Sequence, residues 1–189
     1  DIIDLFIKAN YRVTIHTTQK QMDIPETIKK AGREYDLLVC CGGDGTLNET
    51  INGIIKSGYS LPLGYIPTGT VNDFASSLEI PKNMLDAAET IIQGEPFFCD
   101  VGSFNQRYFS YIAAFGAFTE VSYQTPQFSK NLFGRAAYLM EGIKHLSSMK
   151  TYHIKLEHDG ETVEGDFILG LFSNSSSVGG FRVNSEEKI

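Results

Sequence analysis

The sequence predicts an α/β layer with parallel strands, followed from about residue 96 by a mostly antiparallel β part. Three observations carry this. A helix, strand, helix, strand, glycine turn and helix follow one another over the first sixty residues. A second polar glycine turn closes the next strand, at 67–74. After Pro96 the apolar pattern changes to paired short strands joined at Asn105-Gln106 and Asp159-Gly160.

In chain order, Ile2, Ile3, Leu5, Phe6 and Ala9 read as the rear of an amphipathic helix. Tyr11 to His16 alternates and predicts a strand, with Thr17-Thr18 at its end and His16 an edge residue, since no other ligand type lies at metal spacing. Asp23-Ile24-Pro25-Glu26 starts a helix running to about Arg33. Leu37 to Cys41 is wholly apolar, as in a strand buried on both faces. Gly42-Gly43-Asp44-Gly45-Thr46 follows, and then Leu47, Ile51, Ile54 and Ile55 at helical spacing, with Gly58 as the C-terminal stop. Leu61 to Ile66 is a strand leading into Pro67-Thr68-Gly69-Thr70-Val71-Asn72-Asp73-Phe74. Asn83 caps a helix to Gln93. Strands are expected at 97–102, 107–118, 153–158 and 162–172, with a helix over 129–148 apolar at Leu132, Ala136, Leu139, Ile143 and Leu146. The domain expectation is 1–95 for the α/β part and 96–189 for the β-rich part.

A net charge of −7 argues against a general nucleic-acid binder, because phosphate affinity comes from Lys and Arg. Three cysteines, two adjacent in an apolar strand, do not form a disulfide framework and suit a reducing cytoplasm. No apolar run approaches the ~20 residues of a membrane span. The chain starts inside a helix and stops in a polar stretch, so both ends are expected to be incomplete.

The chemistry concentrates in the two glycine turns. Three glycines in four residues let the backbone turn tightly and approach a ligand, and the helix that follows offers N–H groups and its positive dipole end to an anion. Asp44 would repel a bare phosphate there, which implies an intervening cation and a Mg-nucleotide site. The plainer reading is a βα turn with Asp44 or Thr46 as N-cap. Ligands of open parallel sheets bind beyond the carboxyl ends of strands, so both turns can face one cleft, with Thr70, Asn72 and Asp73 opposite Asp44. Here too the plainer reading is that Asn72 or Asp73 caps a helix. Asp100, flanked by Cys99 and Val101, is either exposed by alternation or held for use.

The run from Gly42 to Glu49 and the run from Ile66 to Phe74, with Asp100-Val101-Gly102 and Asn105 to Phe109 in order, resemble the diacylglycerol kinase catalytic domain, most closely that of the soluble bacterial lipid kinases. A GGDG alone is shared with NAD kinases and phosphofructokinases of the same superfamily; the GTVNDF turn favours the lipid kinases. The resemblance implies an α/β nucleotide domain, a β-sandwich-like lipid domain and an active site between them. It implies ATP phosphates against Gly42, Gly43, Gly45 and Thr46, with Thr18, Asn48, Glu49, Thr70 and Asn72 also lining the nucleotide site. Asp44, Asp73 and Asp100 are implied as the catalytic acids that organise Mg²⁺. No GxxxxGK[ST] motif is present, so backbone amides and metal would replace its lysine.

The chain departs from that pattern in lacking the opening Asn-Pro strand. The family's general base and structural metal site would fall past Ile189, and Asp159-Gly160-Glu161 only imitates the surroundings of the base. The implied reaction is phosphorylation of diacylglycerol. Rivals are kinases of sphingoid bases, phosphatidylglycerol or NAD, and a nucleotide sensor without turnover. The segment from Phe128 to Lys150, basic at Lys130, Arg135, Lys144 and Lys150 and bearing Phe133 and Tyr138, is a candidate for peripheral contact with anionic lipid; the plainer reading is a helix packed on its sheet with a solvated outer face. A homodimer stays open as the oligomeric state.

Overall fold

The structure, a computed structural model, describes residues 1–116, 150–174, 177–178 and 181–182. It divides into two compact units, one of Asp1–Ile112 with Ser173–Ile189 and one of Ala113–Phe172. The change of composition at 96 and the change of unit therefore fall at different places. The helix expected over 129–148, and the basic segment except Lys150, lie outside the described residues.

In the first unit, α1 (Ile2–Lys8) and α2 (Asp23–Ala31, extended by a 3₁₀ turn at Gly32–Glu34) precede β1 (Leu38–Gly42). Then come α3 (Asp44–Ser57), β2 (Leu63–Pro67), α4 (Asp73–Ser77) and α5 (Met84–Gln93). β1 and β2 pair in parallel, Leu38 opposite Leu63 and Gly42 opposite Pro67. Both glycine turns therefore leave the sheet at the same level. On one face Cys40 and Tyr65 pack with Leu47 and Ile51 of α3 and Phe74 and Ala75 of α4. On the other, Ile66 packs with Phe6 of α1 and Ala87 and Ala88 of α5.

Local signals act as expected at the helix ends. Asn83 Oδ1 accepts from the N–H groups of Leu85 (2.8 Å) and Asp86 (3.4 Å), capping α5. Gly58 ends α3 at φ 71°, a left-handed geometry that glycine adopts without a Cβ penalty.

Several strand expectations need correction. The alternation of Tyr11 to His16 forms no strand: it supplies a face but no partner, and β1 is paired by β2 alone among the described residues. His16 instead bonds to Asp23 (3.2 Å) and Thr27 (3.1 Å). β1 is not buried on both faces, since Val39 and Cys41 are exposed; α1 and α5 cover the β2 side of that face and leave β1 open. Residues 97–101 lie outside any strand, and pairing begins at β3 (Gly102–Phe104).

β3 turns at Asn105-Gln106 into β4 (Arg107–Phe109), with Phe104 opposite Arg107. The strand expected over 107–118 breaks at Ser110-Tyr111, where Asn174 intervenes. Its Nδ2 donates to Ser110 O (3.3 Å) and to Asp100 O (2.6 Å), and its N–H donates to Tyr111 O (2.9 Å).

β5 (Ile112–Gly116) pairs with β8 (Leu169–Ser173), and the second unit contains an antiparallel hairpin, β6 (Tyr152–His158) with β7 (Glu161–Phe167). Asp159 (φ 49°) and Gly160 (φ 83°) make the tight turn that their sequence predicts. The strand expected over 162–172 is interrupted at Ile168, where the chain changes partner from β6 to β5. β9 (Ser177–Val178) pairs with β10 (Phe181–Arg182), in the first unit.

Candidate functional site

β1 delivers the chain to Gly43, the N-cap of α3, so Asp44, Gly45 and Thr46 form its first turn. The N–H groups of a first turn have no helical acceptor, and no side chain among the described residues caps these. They stand at the positive end of a fourteen-residue helix. The glycines also allow the two turns to touch. A Cβ on Gly69 would lie 2.6 Å from Gly43 Cα, and one on Gly43 would lie 3.2 Å from Gly69 Cα. One on Gly45 would meet nothing within 4 Å.

The second turn is held by side chains. Asn72, at φ 55°, accepts from Gly69 N–H (3.0 Å) and donates to Gly69 O (2.7 Å), closing the loop on itself. The buried Tyr65 hydroxyl donates to Gly42 O (3.2 Å) and reaches Asn72 Oδ1 (3.4 Å). Burial, then the Asp44 charge, pushes that phenol well above its ordinary range, so it remains a donor. Thr68 N–H completes the join by donating to Gly42 O (2.9 Å).

Asn72 occupies the N-cap position of α4 but makes no side-chain cap bond. Asp44 supplies the cap from the other turn: Oδ2 accepts from Asp73 N–H (3.1 Å) and Oδ1 from Phe74 N–H (3.2 Å). The carboxylate at the centre of the first turn is thus the bolt that fixes the second.

Two cavities flank the first turn of α3. One, of about 340 Å³, is lined by Thr18, Gln19, Lys20, Ile24, Thr46 and Glu49. The loop on its far side is held by Glu49, whose carboxylate accepts from Met22 N–H (3.2 Å), and by Asp23, which accepts from Gln19 N–H (2.9 Å). The other, of about 240 Å³, is lined by Asp44, Gly45, Asn48 and the chain from Phe109 to Ile112. Helical geometry explains the division, because Thr46 and Glu49 share one face and Gly45 and Asn48 the next.

Thr18, Thr46 and Glu49 are therefore gathered, with Gly42, Gly43 and Gly45 in the adjoining turn. Asn48, grouped with them by sequence, lines the other cavity. Thr70 is exposed and lines neither, and Asn72 staples its own turn.

Among the described residues no three acidic, histidine or cysteine side chains are placed to hold a metal. Asp44 is spent on two amides, Asp73 is buried at 1% exposure, and Asp100 lies exposed outside any strand. Asp159 is an exposed hairpin residue in the other unit. Cys40 and Cys41 are free thiols, and burial pushes Cys40 up to about 11, leaving it protonated and inert.

Sequence reasoning passed over Lys20, Asn52 and Ser110. Asn52, buried in α3, donates Nδ2 to Tyr108 O (2.7 Å) and accepts from Tyr108 N–H (3.1 Å), fastening β4 to the helix. The available signal for Ser110 was a lone hydroxyl within Tyr-Phe-Ser-Tyr-Ile.

Residues 1–104, more than half of the chain, match the family model of the diacylglycerol kinase catalytic domain. The chain belongs to that family. It is 39% identical over 182 residues to a diacylglycerol kinase of Staphylococcus saprophyticus, covering 96% of this chain and 60% of that one. A Staphylococcus aureus diacylglycerol kinase is 40% identical over 175 residues, covering 92% and 56%. A crystal structure of a diacylglycerol kinase from Bacillus anthracis superposes with a TM-score of 0.76 at 26% identity, over 96% of this chain and 59% of that one. A second structure from that organism gives 0.73 at 29% identity, over 88% and 55%. The chain thus spans somewhat more than half the length of these relatives. No helix among the described residues is long and apolar enough to cross a membrane.

Proposed function

We propose that this chain carries the nucleotide-binding part of an ATP-dependent lipid kinase, which transfers the γ-phosphoryl group to the hydroxyl of diacylglycerol and yields phosphatidic acid. The observation that carries the reading is the position of the first turn of α3. Its uncapped amides lie between a polar cavity with a lysine and a second cavity beside Asp44. Phosphoryl transfer needs positioning and charge neutralisation more than covalent chemistry from the protein. Lys20, Thr46 and the amides of Gly45 and Thr46 are the groups suited to a triphosphate. Thr18 and Glu49 flank the nucleoside side. The acceptor oxygen forms the new P–O bond as the β–γ bridge breaks, ADP leaves, and the hydroxyl proton passes to a base. In this reading the protein is cytoplasmic and meets its lipid at the membrane surface, with 128–150 as the proposed contact and 96–189 as the lipid-facing part.

The test is label transfer from γ-labelled ATP with Mg²⁺ by the full-length protein, offered diacylglycerol, phosphatidylglycerol, sphingosine and NAD. Labelled phosphatidic acid is expected. Labelled NADP or sphingosine phosphate moves the substrate assignment, and ATP binding with no labelled product replaces the kinase by a nucleotide sensor.

A further inference from the structure

Two of the residues that line the cavity beside Asp44 carry a buried oxygen with no partner among the described residues. Ser110 is 1% exposed, and its Oγ has no hydrogen-bond partner among the described residues; nor has Asn48 Oδ1, also shielded from solvent. Buried polar atoms of native proteins are nearly always paired, and those that are not commonly serve a ligand or a water. Here both belong to residues lining a space of about 240 Å³, roughly eight water volumes at ~30 Å³ each. Phe109 and Ile112 give that space an apolar wall.

The chemistry of the lining selects the occupant. Asp44 and the Asn48 carbonyl oppose an anion, so this cavity is not a phosphate pocket. Two α4 amides already share the charge of Asp44, which weakens its demand for a cation. A neutral hydroxyl can donate to Asn48 Oδ1 while pairing with the Ser110 hydroxyl, and its carbon skeleton suits Phe109 and Ile112. Gly45 lies between this space and the uncapped amides of α3.

We propose that Ser110 and Asn48 form the subsite for the hydroxyl-bearing end of the acceptor, an uncharged alcohol such as the glycerol end of a diacylglycerol. This rests on the kinase reading above and assigns its acceptor side. The two oxygens, without a partner among the described residues, are satisfied when the alcohol binds. Asn48 then belongs to acceptor recognition rather than to the nucleotide.

The experiment uses the full-length protein, Ser110→Ala and Asn48→Ala. It measures KM for dioctanoylglycerol, KM for ATP, the thermal midpoint, and direct binding of dioctanoylglycerol without ATP by calorimetry. Loss of one hydrogen bond to the ligand is expected to raise the dioctanoylglycerol KM and Kd about five- to tenfold in Ser110→Ala, with the ATP KM within about twofold. The midpoint of Ser110→Ala should be unchanged or higher, because the substitution removes an unpaired buried group. A lower midpoint with both KM values unchanged would show a hydroxyl satisfied by water and overturn the subsite. So would a raised ATP KM with unchanged acceptor KM, or preferential labelling of sphingosine. If the parent protein labels no alcohol, the kinase reading fails on its own; equal calorimetric binding of dioctanoylglycerol by parent and variants then overturns the subsite separately, and weaker binding by the variants supports it.

Discussion

The two glycine turns stand at one end of the same two-stranded ladder, yet they use their polar groups in opposite ways. The turn at 67–72 spends its polar groups internally: Asn72 holds both the N–H and the C=O of Gly69, and the α4 amides of Asp73 and Phe74 go to Asp44. The turn at 42–46 gives its carboxylate away and leaves its helix amides uncapped. A turn fastened in this way is scaffold, and one with helix amides to spare can hold a ligand. The similarity of the two motifs in sequence hides this division of labour.

The sharpest way to break the comparison is Asp44→Ala, which touches both turns. Label transfer is expected to fall at least ~100-fold, and the urea-derived stability by about 1–2 kcal/mol as the α4 cap is lost. Unchanged stability would show that the cap is dispensable.

Asn72→Ala tests the scaffold side. It removes two hydrogen bonds and places alanine at positive φ, an expected loss of about 2–3 kcal/mol. Asn72→Gly should recover about 1 kcal/mol of it, from the backbone alone. Nucleotide affinity at a temperature where the variant is folded should stay within about twofold, and a larger drop would make the second turn a ligand contact.

Gly45→Ala tests the other side with the reverse signature. Its Cβ meets nothing, and alanine favours helix, so stability should hold or rise by up to ~1 kcal/mol. The KM values should rise because Gly45 lines the cavity beside Asp44 and the added methyl narrows it. Equal gains in stability and activity would mean that nothing approaches this backbone.

The smallest effect lies away from both turns and serves as a control. His153 on β6 bonds to Asp166 (3.0 Å) and Glu164 (3.2 Å) of β7, and these carboxylates, Asp166 first, raise its pKa above 6.5. Its contribution to stability is therefore fully present below about pH 6.5 and is lost as pH rises through the raised value. Comparing denaturation midpoints of His153→Gln and parent at about pH 5.5 and about pH 8 should give a deficit at the lower pH alone, with label transfer at one fixed pH unaffected.

What the sequence made legible follows from the range of the forces involved. Gly58, Asn83 and Asp159-Gly160 act within a few residues, and each does what its type predicts. So does the strand, glycine turn and helix around Asp44. Legibility failed where a residue's role depends on chain far away. Asn52 meets Tyr108 from 56 positions off, and Asn174 meets Asp100 from 74. Tyr11 to His16 has the alternation of a strand but no partner, and the exposure of Val39 reflects which helices cover which strand. The separation of Asn48 from Glu49 is an intermediate case. Adjacent residues on a helix point about 100° apart, so the two faces could have been separated, but only the folded chain shows that each meets a different cavity.

The grip of Asn52 on Tyr108 also acts as a ruler. A two-residue hairpin as short as Gly102 to Phe109 carries few ladder bonds of its own to set its register, and a shift by one residue turns every side chain to the opposite face. Asn52 offers one amide donor and one carbonyl acceptor, the pair that a neighbouring strand would present, and fits them to Tyr108. Shifting the strand by one place would carry the Ser110 hydroxyl away from its cavity and bring a phenylalanine or tyrosine ring toward it. Counting residues along this strand is thus delegated to a helix, and an insertion between Arg107 and Ser110 would be felt as altered substrate choice before it was felt as unfolding.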